Sequence, residues 1–262
     1  MTLDSTLLSN KIVVIIGGAG LIGQAFTEGL LQHAATVVVA DIDFPRCKAV
    51  CERITQLIPD ANILPENVDI TSKVSLQQLI NRVVKHYGKI DTVINNAYPR
   101  NKNYGKSLEQ VEYLDFCENI NLHLGGYFLS TQQFANHFKN QAFGHVINIS
   151  SIYGNIAPRF EIYKNTSMTM PVEYAAIKSA IQHLSIYFMR YYKGTSVRFN
   201  CLSPGGILDK QPESFLRAYG EYSQNKGMLS AQDLVGTLVY LVSDLSEFVN
   251  GQNIIVDDGW ST

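Results

Sequence analysis

The chain has little of what marks secreted, membrane-bound or nucleic-acid-binding proteins. Its 262 residues include only four cysteines, Cys47, Cys51, Cys117 and Cys201, too few and too scattered for a disulfide framework. Cys47 and Cys51 stand four apart, but no second cysteine or histidine pair completes a metal-binding set. The six histidines never fall three to five residues apart, so the helical zinc patterns are missing and no metal is expected. Neither sign of charge dominates: 21 Lys and Arg face 23 Asp and Glu, for a net charge of −2. That balance exerts no general pull on nucleic acid or anionic lipid. Apolar runs such as residues 12–16 and 37–40 are short, whereas a membrane-spanning helix needs about 18 or more apolar residues in succession. The opening MTLDSTLLSNK has no basic region followed by an apolar stretch, so it does not read as a secretory signal. A cytoplasmic protein is expected, with neither nucleic acid nor membrane as a partner.

What the chain does have is alternation. Short β-branched runs begin at Lys11, Thr36, Asn62, Lys89, His145, Ser196 and Gln252, and helix-length segments separate them. Most of these runs are solidly apolar, as strands become when helices cover both faces of a parallel sheet. The clearest helical face carries Leu76, Leu79, Ile80, Val83, Val84 and Tyr87; it starts near Thr71 or Ser72 and stops at Gly88. Another segment opens with Ser230 and Asp233, a capping-box pattern with the shorter acid, and carries Leu234, Leu238 and Leu241. The pattern predicts one α/β domain over residues 1–262, a doubly wound parallel sheet of seven strands of the Rossmann type.

The first apolar run leads directly into Gly17-Gly18-Ala19-Gly20-Leu21-Ile22-Gly23, and Gly18, Gly20 and Gly23 satisfy G-x-G-x-x-G. Between strand and helix, such glycines permit a tight turn and let backbone N–H groups approach a pyrophosphate at the positive end of the helix. Asp41 ends the second strand, 18 residues after Gly23. A carboxylate there accepts hydrogen bonds from an adenosine ribose and repels a 2′-phosphate, which favours NAD over NADP.

A tyrosine followed four residues later by lysine places phenol and ammonium on one helical face. Three such pairs occur: Tyr98/Lys102, Tyr174/Lys178 and Tyr222/Lys226. Only Tyr174/Lys178 lies in a segment with a continuous apolar face, made of Ile177, Ala180, Ile181 and Leu184. It also follows a strand ending in Ser150-Ser151, at the carboxyl edge where open α/β sheets bind ligands. Hydride transfer between a carbinol and nicotinamide requires a proton to move at the oxygen. A free phenol, with pKa near 10, must be lowered about three units to serve at neutral pH, or about 4 kcal/mol. A unit positive charge about 4 Å away at an effective dielectric near 20 supplies that order of energy. Lys178 is the natural source, and Ser151 suits holding the substrate oxygen.

On these motifs the sequence resembles the short-chain dehydrogenase/reductase family along nearly its whole length. The resemblance implies an enzyme whose catalytic residues are Asn121 (in ENINLHLGGYF), Ser151, Tyr174 and Lys178. It implies a cofactor site of Gly17, Gly18, Gly20, Leu21, Ile22, Gly23, Asp41, Asp69, Ile70, Asn96, Ala97, Pro204, Gly205 and Ile207, together with Tyr174 and Lys178. It further implies a homodimer or homotetramer. Ile16 stands where the family usually has Thr, and Leu21 and Tyr98 stand where it usually has Gly. Asp209 stands where a Thr often contacts the carboxamide. The Ser151–Tyr174 gap of 23 residues exceeds the family's usual spacing and implies a substrate-covering insertion at about 152–173.

That insertion and the YPRNKNYGK segment from Tyr98 carry Arg100, Lys102, Arg159 and Tyr163 as candidate substrate contacts. Such groups suit a hydroxyl-rich or phosphorylated ligand. The same two segments, with SMTMPVEYAAIKSA, resemble the oxidoreductases called flagellin modification protein A. That likeness implies a sugar or amino-sugar substrate, as in legionaminic acid biosynthesis for flagellin or surface glycan. Two alternatives stay open: reduction of another carbonyl, including a 3-oxoacyl thioester, and a catalytically silent cofactor-binding scaffold.

Overall fold

The computed structural model describes residues 5–262, so the first four residues of the N-terminal stretch read above lie outside it. Seven strands form one parallel sheet: β1 Ile12–Ile16, β2 Thr36–Asp41, β3 Ile63–Asn67, β4 Thr92–Asn95, β5 Gly144–Ile149, β6 Val197–Pro204 and β7 Asn253–Val256. Their order across the sheet is β3-β2-β1-β4-β5-β6-β7. The order reverses between β1 and β4, which opens a crevice at their carboxyl ends.

β1, β4 and β5 are buried along their whole length, which is why they carry apolar side chains on both faces. One face packs on α3 (Lys73–Tyr87), α5 (Gly126–Gln141) and α6 (Val172–Tyr191). The other packs on α1 (Leu21–Leu31), α2 (Phe44–Leu57) and α8 (Val235–Val242). α3 starts and stops where its sequence requires: the Ser72 hydroxyl accepts from the Ser75 N–H, and Gly88 takes φ +81° beyond the last turn. The Asp233 carboxylate accepts from the Ser230 N–H at 2.8 Å, and a 3₁₀ turn there leads into α8.

Two short helices complete the set, α4 (Tyr113–Asn119) and α7 (Glu213–Gly220). α4 runs into α5 through a π-helical turn at Ile120–Gly125. A third, smaller core lies beside the sheet, where Ile152, Tyr153, Ile162 and Tyr163 of the insertion meet Phe215, Tyr219, Met228 and Trp260. It anchors the insertion over the carboxyl edge of the sheet. Among the described residues no helix is long and apolar enough to cross a membrane.

Candidate active site

A cleft of about 1190 Å³ opens at the carboxyl edge, running from the glycine turn to the insertion. At its inner end the turn between β1 and α1 has almost no room for side chains. Gly17 takes φ +80°, and a Cβ there would lie 2.5 Å from the Ala97 nitrogen. A Cβ on Gly23 would lie 2.4 Å from the Gly17 carbonyl. The Asn96 amide donates to that carbonyl at 3.0 Å, tying the turn after β4 to the turn after β1. Gly20 precedes the first turn of α1, and a Cβ there would come only into ordinary contact, 3.4 Å from the Gly17 carbonyl. The result is a shallow backbone cradle at the N-terminus of α1, the shape and polarity that a pyrophosphate needs.

Gly17, Gly20, Leu21, Ile22, Asp41, Asp69, Ile70, Asn96, Ala97, Pro204, Gly205 and Ile207 all line the cleft. Gly18 and Gly23 lie behind it, packed into the turn. Asp41 sits at the tip of β2 with Arg46 on the same wall. The Asp69 carboxylate accepts from the N–H and hydroxyl of Thr71, which stiffens that part of the cleft wall. These residues fit a nicotinamide dinucleotide.

Midway along the cleft, Ser151, Tyr174 and Lys178 converge. Ser151 leaves β5 and its hydroxyl accepts from the Tyr153 N–H at 3.2 Å, and the same side chain partly offsets the rise that burial causes in the Tyr174 phenol. Tyr174 and Lys178 share one face of α6, with the Lys178 ammonium 5.5 Å from the Tyr174 ring centre. Lys178 is buried, and its Nζ donates to the Ile149 carbonyl at 2.8 Å. Burial pushes the Tyr174 phenol up and pulls Lys178 down to about 7. Desolvation therefore drives both toward their neutral forms, opposite to the lowering of the phenol by Lys178 that the sequence leads one to expect.

The other two tyrosine–lysine pairs go elsewhere. Lys226 pairs with Asp233 while the Tyr222 hydroxyl donates to Glu161. Lys102 is exposed and lies outside any helix.

Besides Gly18 and Gly23, three expected site residues do not line the cleft: Asn121, Lys102 and Arg159. Asn121 is exposed on the π-helical turn and is not among the residues that line the cleft. The turn places one more residue per revolution than an α-helix, which swings Asn121 outward and His123 inward. Lys102, also exposed, does not line the cleft either. Arg159 is held by aromatic faces: its guanidinium lies 4.3 Å from the Tyr222 ring centre and 5.2 Å from that of Trp260. Arg100 and Tyr163 do line the cleft.

Sequence reasoning missed much of the substrate end. Tyr98 meets Tyr174 edge to face at 5.7 Å, and its hydroxyl donates to Tyr104 at 2.7 Å. Arg100 lies over the outer face of Tyr98 at 5.1 Å. The Tyr153 and Tyr163 hydroxyls bond each other at 3.2 Å, and Met168, Met170, Phe215 and Met228 fill the floor. The loop carrying Tyr98 and Arg100 is pinned from behind: Asn119 accepts from the Asn101 N–H and donates to the buried Glu173. The density of tyrosines in the sequence was the available signal, and it does not by itself say which of the 14 share a wall.

A parallel seven-stranded sheet, a glycine cradle at its switch point and a Ser-Tyr-Lys cluster at its carboxyl edge define a nicotinamide-dependent oxidoreductase. Residues 18–261 match the family model described as Enoyl-(Acyl carrier protein) reductase, and the chain belongs to the short-chain dehydrogenase/reductase family. It is 42% identical to "Post-translational flagellin modification protein A" of Campylobacter coli, over 97% of this chain and 99% of that one. It is 28% identical to the 3-oxoacyl-[acyl-carrier-protein] reductase of Thermotoga maritima, over 96% and 98%. Among solved structures it resembles a short-chain dehydrogenase from Leptospira borgpetersenii with bound NAD+, at 29% identity and a TM-score of 0.85, covering 100% of this chain and 98% of that one. The chain is an oxidoreductase of this family and uses NAD or NADP.

Proposed function

We propose that this enzyme interconverts a hydroxyl and a ketone on a sugar or amino sugar, with NAD favoured over NADP, in making a bacterial surface or flagellar glycan. The observation that carries the reading is the chamber into which Tyr174 opens. Phenols of Tyr98, Tyr104, Tyr153 and Tyr163 wall it, and Arg100 stands at its mouth. Aromatic faces edged with hydroxyls suit a ring that is apolar on its C–H face and polar at its rim. One arginine suits a single phosphate or carboxylate. The flagellin modification relative supports the same class. The Asp41 carboxylate favours NAD, because a 2′-phosphate beside it meets like charge. The enzyme is proposed to be cytoplasmic and to work as a homodimer or homotetramer.

Bound nicotinamide supplies or takes up the hydride; the chain's own residues handle the proton. Ser151 positions the substrate oxygen, Tyr174 gives or takes the proton at that oxygen, and Lys178 lies one helical turn on from Tyr174 on the same face of α6. A second reading, reduction of a 3-oxoacyl thioester or another carbonyl, draws on the apolar floor of Met168, Met170, Phe215 and Met228. The deciding experiment is a turnover screen of nucleotide sugars, sugar phosphates and acetoacetyl thioesters with NAD and NADP, read as absorbance of the reduced cofactor. Turnover of a sugar with NAD, lost at least 100-fold in Tyr174→Phe with little change in cofactor affinity, supports the first reading. Turnover of the thioester alone replaces it with the second.

A further inference from the structure

Four of the phenols along the cleft come in two hydrogen-bonded pairs. The Tyr98 hydroxyl donates to that of Tyr104 at 2.7 Å, and those of Tyr153 and Tyr163 bond each other at 3.2 Å. The pairs belong to different parts of the sheet's carboxyl edge. Tyr98 follows β4, and its ring lies 5.3 Å from that of His123 on the turn before α5. Tyr153 follows β5 and is buried with Tyr163 in the small core, where its ring lies 5.8 Å from that of Trp260, beyond β7. Among the described residues no ring contact joins one pair to the other. Tyr174 is the phenol common to both: its ring meets Tyr98 edge to face, and a charge on its oxygen feels Tyr98 and Tyr163 alike.

A phenol has one hydrogen to donate and lone pairs with which to accept. A pair of phenols spends one hydrogen on itself, whichever partner donates, and keeps the other. Each pair therefore presents one donor together with free lone pairs, held in place by its internal bond. Once a ligand displaces water from the cleft, an O–H left without a partner is costly. One polar group on the ligand completes each pair. Neutral phenols suit neutral partners: a hydroxyl, or an acylamino group with its N–H and carbonyl. The reacting oxygen sits at Tyr174, which both pairs adjoin. A ring carbon with a substituted carbon on each side satisfies Tyr174 and both pairs at once. The carbons beside the ketone of a 3-oxoacyl thioester carry no such group and would leave both hydrogens unpaired.

We propose that Tyr98–Tyr104 and Tyr153–Tyr163 are specificity-determining pairs, each binding one of the two substituents that flank the reacting carbon. The substrate is then a sugar oxidised at a ring carbon whose two neighbours both carry a hydroxyl or acylamino group. In a pyranose substituted with phosphate at carbon 1, carbon 3 alone meets that condition. The pairs bind and take no part in the hydride or proton transfer. This rests on the sugar reading of the chamber.

The probes are glucose 1-phosphate, N-acetylglucosamine 1-phosphate, the UDP esters of both sugars and glucose 6-phosphate, each with NAD+. The ketone formed is trapped with borodeuteride, and mass spectrometry locates the deuterium. It should fall at carbon 3 of the first four, or at carbon 2 or 3 of the 6-phosphate. Label at any other carbon overturns the inference and leaves the enzyme a sugar oxidoreductase. Turnover of an acetoacetyl thioester alone, or of no pyranose at all, overturns the sugar reading and this inference with it. On the best probe, an analogue lacking either flanking substituent should lose about tenfold in kcat/KM. Tyr98→Phe with Tyr104→Phe, and Tyr153→Phe with Tyr163→Phe, remove each pair whole and leave no phenol unpaired, so both proteins should fold. Each double variant should cost the full probe about tenfold and one analogue nothing, with a different analogue for each pair. Equal losses on the probe and both analogues would reduce the phenols to wall, and overturn the inference alone. Should a double variant fail to fold, the wild type decides: an analogue that keeps its full kcat/KM sinks the proposal.

Discussion

At the scale of single residues, the site is governed by where water is excluded. Lys178 is buried without a carboxylate partner, and desolvation draws its pKa from 10.5 to about 7. A folded-state pKa below the unfolded one means that the unfolded chain binds more protons between those values, so the penalty is largest below pH 7 and shrinks as pH rises. Lys178→Met should therefore raise the melting temperature more at pH 6 than at pH 9, the difference corresponding to on the order of 3 kcal/mol. Equal gains at both pH values would place the lysine in a wetter environment than the structure gives it. The two arginines make an opposite pair. Arg100→Ala should raise KM about ten- to a hundredfold for an anionic sugar with kcat nearly unchanged, because a charge-assisted contact contributes about 1.5–3 kcal/mol to binding. Arg159→Ala should leave KM within about twofold while costing roughly 1 kcal/mol of stability, the cation–π contact with Tyr222 and Trp260. Michaelis kinetics and thermal melts of the two variants check both.

At the scale of elements, the regular parts were legible and the irregular one was not. Most strands announced themselves because they are apolar on both faces, β3 with its Glu66 and Asn67 less so, and α3 because Ser72 and Gly88 bracket its apolar stripe. The glycine turn was legible for the same reason it is fragile: its conformation admits no side chain. Gly17→Ala places a Cβ at φ +80° and 2.5 Å from the Ala97 nitrogen. It should lower stability by roughly 1–3 kcal/mol and weaken NAD+ binding, both measurable in one denaturation and titration series. The join between α4 and α5 escaped, because a single wide turn leaves no mark in hydrophobic periodicity. It changes which residue faces inward, and so Asn121 is outside and His123 inside. Arg159 escaped for another reason: the rings that capture it, Tyr222 and Trp260, lie about 60 and 100 residues further along the chain.

At the scale of the whole molecule, one side of the sheet carries an apolar surface the monomer does not cover. Phe128 on α5 and Ile186, Tyr187 and Tyr191 on α6 are exposed, and Tyr187 stacks on Tyr191 at 6.3 Å. With the proposed oligomer forming through these helices, Tyr187→Lys combined with Tyr191→Lys should shift sedimentation at micromolar concentration toward the monomer. A wild-type monomer under those conditions would count against assembly altogether. The small core beneath the insertion has a use of a different kind. Trp260 is the chain's single tryptophan, fully buried and stacked 4.9 Å from Tyr219, whose hydroxyl accepts from the Gly206 N–H on the cleft wall. The protein thus contains a built-in optical probe at one known position. Indole emission overlaps the absorption of a reduced nicotinamide, so energy transfer from Trp260 would report each arrival and departure of the reduced dinucleotide with no label attached.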